Sequence, residues 1–188
     1  MAVAKKFDPK KLAKLNDPER FKILNPDIIW DTLNLQNPQK LIDIGAGTGF
    51  FATAFLEKLG KGTIYTCDTS EVMIEWMQNN LNNKKITPLK CAENSIGLPD
   101  AIADLVYMIN LHHELIRPEK MITESYRLLK PEGKIAIIDW KKEEMEQGPR
   151  IEIRVSENII IKQLDKAGFK NIVSHKLLPL HSFITGQK

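Results

Sequence analysis

Residues Asp43-Ile44-Gly45-Ala46-Gly47-Thr48-Gly49-Phe50 set a glycine turn between an apolar strand and a helical pattern. No other stretch limits the fold as much. Leu41-Ile42-Asp43-Ile44 reads as a short buried strand, and Phe50, Phe51, Ala54, Phe55, Lys58 and Leu59 recur at helical spacing. A strand, a tight turn and a helix open a parallel βαβ unit. The alternation then continues. Strands are expected over 63–67, 86–90, 104–110 and 134–139, with Pro131-Glu132-Gly133 as the turn before the last of them. Helices are expected around Val72, Met73, Trp76, Met77 and Leu81, and from Pro118 through Leu129. Ser156 is placed to cap a helix through Ala167, with Gly168 at its C′ position. Two last strands, 171–176 and 182–185, have no helix between them and should pair as a hairpin. The expected fold is α/β: a doubly wound, Rossmann-like seven-stranded sheet, five parallel strands then an antiparallel terminal hairpin, with helices on both faces.

Composition closes off other classes. A chain of 188 residues with 43% apolar and 27% charged residues suits one domain and can bury roughly 70% of its unfolded surface. Ten Gly and ten Pro exclude collagen-like and low-complexity chains. Lys and Arg total 27 against 24 Asp and Glu, a net charge of +3 that does not call for nucleic acid. Two cysteines cannot build a disulfide framework, and Cys67 and Cys91 have no local metal-ligand spacing. No apolar h-region follows the basic start, and no run is long enough for a membrane span. A soluble, cytoplasmic protein is expected. Lys5, Lys6, Lys10, Lys11 and Lys14, against Asp8 alone, read as a solvated basic arm. Asp17-Pro18 and Asn25-Pro26 read as starts of short helices, the second running through Trp30 to Leu33.

In doubly wound sheets ligands sit beyond the carboxyl ends of the strands. The glycine spacing is G-x-G-x-G, and Phe50 stands where a dinucleotide fingerprint would have its third glycine. Asp43 points the same way, since a carboxylate there repels phosphate and suits a cationic amine or sulfonium. Gly45 and Gly47 allow the tight turn and close approach of a ligand. Asp68 ends the second strand, 19 residues past Gly49, where it can accept both hydroxyls of a ribose. Its alternative use is as a helix cap, which Thr69 or Ser70 could serve instead.

The DIGAGTGF segment, Asp68, the DLVYMINLHH strand and the SYRLLKPEGK turn together resemble class I S-adenosylmethionine-dependent methyltransferases. Within them the chain looks most like the group that includes the ubiquinone/menaquinone-biosynthesis C-methyltransferases, over about residues 40–140. That resemblance implies S-adenosylmethionine as cofactor and S-adenosylhomocysteine as product. It implies that Asp43 holds the methionine amino group, that Gly45, Ala46 and Gly47 line the methionine and ribose, and that Asp68 binds the ribose hydroxyls with Thr69 beside it. Ala92 would offer its backbone to adenine, and Asn110 would sit beside the methionine moiety. One departure stands out. The family resembles G-D-A-E-x-L-P near the third strand, whereas this chain has Lys90-Cys91-Ala92-Glu93. Cys91 is a poor acceptor, so Glu93 is expected to take part of the adenine contact.

His112, His113 and Glu114 follow the fourth strand, and either imidazole could take up a proton near neutral pH. The opposing reading is a cofactor-packing turn. No metal is expected, because two thiols without a His or Asp cluster fall short of a zinc site. Residues 1–39, with Phe7, Phe21 and Trp30, are expected to form a helical N-terminal arm and lid, and residues 40–188 the cofactor-binding domain. The stretch between Trp140 and Ser156 is the second candidate lid, and Arg20, Arg150 and Arg154 are candidate partners for a substrate anion. Lids this short favour a small-molecule methyl acceptor. The alternatives are a cofactor-binding protein without transferase activity and a methyltransferase acting on RNA or protein. A nicotinamide-dependent dehydrogenase is weakened by the glycine spacing.

Overall fold

A computed structural model describes residues 12–188. Most of the basic arm (Lys5, Lys6, Lys10 and Lys11), with Phe7 and Asp8, lies outside the described residues. Three short helices come first: α1 Leu12–Leu15, α2 Arg20–Ile23 and α3 Pro26–Leu33. The Asn25 side chain accepts from Asp27 N–H and Ile28 N–H at 2.9 and 3.2 Å, the cap its sequence announced. Asp17 accepts from Glu19 N–H at 3.0 Å, which turns the chain into α2.

The alternating part follows as expected. It runs β1 Lys40–Ile44, α4 Phe50–Leu59, β2 Thr63–Asp68, α5 Glu71–Asn80, β3 Ile86–Lys90, β4 Ala103–Ile109, α6 Pro118–Leu128, β5 Leu129–Trp140, α7 Glu157–Lys166, β6 Lys170–His175 and β7 His181–Gln187. The sheet order is β3-β2-β1-β4-β5-β7-β6. Neighbours from β3 through β5 pair in parallel, and β7 is antiparallel to both β5 and β6. The terminal hairpin therefore forms, with β7 entering between β5 and β6.

Two local expectations are corrected. Pro131-Glu132-Gly133 is a bulge inside one long strand, since Ala103 pairs with Leu129 and Leu105 with Lys134. Glu132 adopts φ 64°, and a Cβ on Gly133 would come 2.9 Å from Lys130 O, so the extra residues fold back tightly. The Ser156 side chain makes no cap hydrogen bond; only its carbonyl enters α7, accepting from Ile159 N–H at 3.0 Å. At the other end Gly168 is at φ 98°, and Phe169 N–H and Gly168 N–H donate to Leu164 O and Asp165 O at 3.1 and 3.0 Å. That is the Schellman pattern expected of glycine at C′.

Each sheet face has its own core. Ile42, Ile44, Val106, Met108, Ile135, Ile137 and Ile184 pack under α6 and α7. Leu41, Leu105, Tyr107, Ile109, Ile138 and Phe183 pack under α3 and α4, with Leu24 and Ile29 from the N-terminal segment. Each such burial is worth about 1.5–3 kcal/mol over exposure. At the amino end of the sheet Asp104 accepts from Gln39 N–H, Lys40 N–H and Lys130 Nζ at 2.8, 2.9 and 2.6 Å. That leaves the carboxyl end for chemistry.

The loop between β5 and α7 is built around Arg154. Its guanidinium is 4% exposed and donates to Pro149 O, Glu143 O, Gln147 O and Lys141 O at 2.7, 2.8, 2.9 and 3.3 Å. Its donors are thereby committed to the loop's own carbonyls, so the expectation that Arg154 meets a substrate anion does not hold. Arg154→Ala leaves those carbonyls unmatched, at about 1–3 kcal/mol. The variant should lower Tm and open residues 141–153 to limited proteolysis while β5 keeps its amide protection; an unchanged digestion pattern contradicts this role.

Candidate functional site at the carboxyl end of the sheet

The turn after β1 is held by β2. Gly45 N–H and Ala46 N–H both donate to Cys67 O at 2.8 and 3.0 Å, and Gly47 N–H donates to the Asp68 carboxylate at 2.9 Å. Gly45 and Gly47 stand at φ 71° and 57°, which L side chains rarely adopt. A Cβ on Gly45 would press on the Leu111 side chain at 2.6 Å, and one on Gly47 would meet Leu15 Cδ1 at 3.3 Å. Gly45 therefore admits the loop after β4, and Gly47 admits α1.

Asp43, at the end of β1, is 4% exposed. Burial pushes its carboxyl well above the usual carboxylate range. Tyr107, its register partner on β4, and Arg20 work against that rise, and the nearby charge of Asp68 adds to it. The Tyr107 hydroxyl is buried without a fully formed hydrogen bond. Asn110, just past β4, adopts φ 58°, and its buried Oδ1 has no hydrogen-bond partner. A buried carboxylate whose pKa is raised and an unmatched amide oxygen suit a cation that also donates hydrogen bonds. The α-ammonium of a methionine moiety is such a group, so these residues fit the cofactor that the sequence resemblance implies.

Asp68 does more locally than expected. Its second oxygen accepts from Ser70 N–H at 2.8 Å, while Ser70 makes no side-chain cap at the start of α5. Neither Ser70 nor the exposed Thr69 relieves Asp68 of that duty. A carboxylate has about four acceptor positions and the Ser70, Gly47 and Thr69 amides draw on them, so acceptor capacity remains for a ribose hydroxyl. Burial raises the Asp68 carboxyl, against the pull of the Ser70 and Gly47 amides and of Lys90.

The strip after β3 is partly committed. Cys91 N–H donates to Asp68 O at 3.1 Å, and Ala92 N–H donates to Ser95 O at 3.1 Å. The Ala92 amide expected to face adenine is thus engaged within its own turn. Glu93 is half-buried beside it. Among the described residues no group of three or more His, Cys, Asp and Glu side chains is placed to hold a metal ion.

The two histidines part company. His112 is 1% exposed, with Nε2 2.8 Å from Gln163 Oε1 of α7, and burial pulls its pKa down. It faces the core rather than the site. His113 Nδ1 lies 2.7 Å from Asp139 Oδ1, and its backbone N–H donates to Asp139 Oδ2 at 2.8 Å. Burial pulls His113 down as well, but Asp139 outweighs it and the imidazole ends above its ordinary value. A carboxylate–imidazole pair at the end of β5 can hold or pass a proton.

His181 went unnoticed in the sequence. It opens β7 opposite Trp140, is fully buried, and has no partner on either ring nitrogen. Only the sheet register brings it here, so no local motif could have flagged it. The N-terminal segment closes the same region. Arg20 lies over the Phe50 and Phe51 rings at 5.1 and 5.0 Å and donates to Leu15 O at 2.5 Å. Phe21 stacks on Phe50 at 4.3 Å.

The raised Asp43 carboxyl has a stability consequence. Its folded-state pKa lies above the unfolded value, so stability is lost as pH rises through the folded value. Asp43→Asn removes that loss. At pH about 8 the variant should melt about 2 °C or more above wild type, and the gap should close as pH falls toward about 4. A variant no more stable than wild type at the higher pH contradicts the assignment.

Comparison with known proteins places the chain among methyltransferases. Residues 42–137 match the family model described as "Methyltransferase domain". A solved SAM-dependent methyltransferase from Aquifex aeolicus is 34% identical with TM-score 0.90, covering 97% of this chain and 99% of that one. A ubiquinone/menaquinone biosynthesis C-methyltransferase of Cupriavidus metallidurans is 29% identical over 149 residues, covering 78% of this chain and 54% of the relative. The chain thus spans about half the length of the curated relatives it matches. Human N-acetylserotonin methyltransferase, solved with SAM, has TM-score 0.77 at 18% identity, a likeness of fold alone. No described helix is long and apolar enough to cross a membrane. On the matched domain and the full-length likeness to the Aquifex aeolicus protein, the chain belongs to the S-adenosylmethionine-dependent methyltransferase family.

Proposed function

We propose that this chain transfers a methyl group from S-adenosylmethionine to a small-molecule acceptor. The observation that carries this reading is the buried Asp43 carboxylate near the end of β1, with an unmatched Asn110 oxygen just past the neighbouring strand β4 and a left-handed glycine turn between β1 and α4. When bound, S-adenosylmethionine supplies an electrophilic methyl for in-line displacement, with S-adenosylhomocysteine as product.

The chain's own residues orient and enclose. Asp43 and Asn110 take the methionine ammonium. Gly45, Ala46 and Gly47 let the backbone come close to the methionine and ribose. Asp68 takes the ribose hydroxyls while it holds the glycine turn against β2, with Thr69 beside it. Ala92 and Glu93 border the adenine, where a carbonyl and a carboxylate stand in for the acceptor that Cys91 lacks. Residues 12–39, the described part of the N-terminal lid, shut out water with Arg20 and Phe21 clamped on Phe50. His113, oriented by Asp139, is the group able to accept a proton from the acceptor. His112 supports the turn that carries it.

The candidate lid between β5 and α7 is short, which supports a small molecule over RNA or protein. The likeness to the C-methyltransferase of Cupriavidus metallidurans supports a carbon acceptor. A cytoplasmic setting belongs to the same reading. Isothermal titration with S-adenosylhomocysteine tests it. Wild type should bind in the micromolar range, and Asp68→Ala should lose about tenfold or more, the worth of a charge-assisted hydrogen bond. His113→Gln should keep that affinity and lower turnover, about 100-fold if the imidazole is the base. Failure of folded wild type to bind overturns the reading; intact binding with no turnover on any acceptor favours a cofactor-binding protein.

A further inference from the structure

His181 is the buried polar group that the proposed chemistry leaves unused. It is 0% exposed, and both ring nitrogens lack a partner. An imidazole in that state bears the full desolvation penalty of a donor and an acceptor. A buried polar group in that state calls for an explanation, and a bound ligand is one.

Its position fits a ligand. Trp140 and His181 are register partners, and their rings lie 4.2 Å apart at 41°. Residues two apart on a strand share a face. Trp140 therefore lies on the face of Ile138, and His181 on the face of Phe183. Asp43 shares that face, because Leu41 two residues before it belongs to the same core. The pair thus lies on the Asp43 face, four residues beyond the row of Asp43, Tyr107, Ala136 and Thr185 toward the carboxyl end, with Trp140 two strands and His181 three strands along the sheet from β1. Gly148, at φ 90°, closes on the indole so tightly that a Cβ there would come 2.7 Å from the ring. The β5–α7 loop, pinned by Arg154, is therefore seated on Trp140. Arg20 reaches this place from the N-terminal segment, since its charge is felt at both Asp43 and His181.

We propose that Trp140 and His181 form the acceptor subsite, in which His181 hydrogen-bonds a hydroxyl of the acceptor and the indole carries its apolar body. This rests on the methyltransferase reading and adds a residue and a chemical group to it. A neutral imidazole gives one hydrogen bond and takes one, and a hydroxyl does the same. Burial lowers the His181 pKa to about 4, helped by Arg20, Lys141 and His113 and opposed by Asp139, so the ring is neutral at physiological pH.

Phenol and toluene, which differ by the hydroxyl alone, are the probes. Their binding is followed by NMR on the Trp140 indole N–H, identified by its loss in Trp140→Phe, with and without S-adenosylhomocysteine. Wild type should bind phenol about tenfold more tightly than toluene, the worth of one neutral hydrogen bond. In His181→Phe the ratio should fall to about one, and His181→Gln, which still gives and takes a hydrogen bond, should recover most of it. Equal affinities in wild type, or a preference for phenol that survives in His181→Phe, overturn the proposal. Titration of the same proteins with S-adenosylhomocysteine separates the two claims. Intact cofactor binding with no phenol preference removes the subsite alone, and absent cofactor binding removes the methyltransferase reading, leaving any phenol preference as that of a hydroxyl-binding site outside methyl transfer.

Discussion

A carboxylate buried at the end of the first sheet strand is the constraint around which the rest is arranged. Asp43 is 4% exposed, and no local packing gain explains a charge there. Tyr107 and Arg20 ease its burial without cancelling it. The sheet supplies the position, since β1 is central and both its neighbours run parallel to it. The glycine turn supplies the access, because only a backbone at φ 57–71° leaves the strand end open to a ligand. Stability given up at such a site is a common accompaniment of ligand binding.

Two segments outside the alternating core frame this charge, each fixed by an arginine used differently. Arg154 spends its donors on four backbone carbonyls and gives the β5–α7 loop a defined shape. Arg20 lies on aromatic rings and keeps its charge near Asp43. The first is a structural pin within its loop, and the second anchors the N-terminal segment while its charge acts on Asp43. Phe50 links the two ideas. It excludes a third glycine from the turn, and it gives Phe21 and Arg20 the surface on which the N-terminal segment rests.

Much of this was legible in the chain. The strand–turn–helix alternation, Asn25-Pro26 and Gly168 state local rules, and the structure follows each of them. The Pro131-Glu132-Gly133 bulge was misread because its residues are those of a turn, while the sheet pairing on either side overrides the local preference. Asp68 and Asp43 were found because a motif surrounds them. His181 and the true duty of Arg154 were not. A lone histidine in a strand acquires meaning only from register with Trp140, and Arg154 only from a loop that folds back on it. The histidine doublet shows the same limit: adjacent letters, one facing Gln163 and one facing Asp139.

Proton release on binding tests the central claim most directly. If Asp43, its carboxyl raised by burial, is the counter-charge of a bound cation, S-adenosylhomocysteine should drive it to ionise and expel a proton. Isothermal titration at mildly acidic pH, in two buffers of different ionisation enthalpy, counts that proton. The account predicts net release in wild type, fading as pH rises, and none in any residual binding by Asp43→Asn. Binding without proton release at every pH would contradict it, and the buried carboxylate would not be the cofactor's counter-charge.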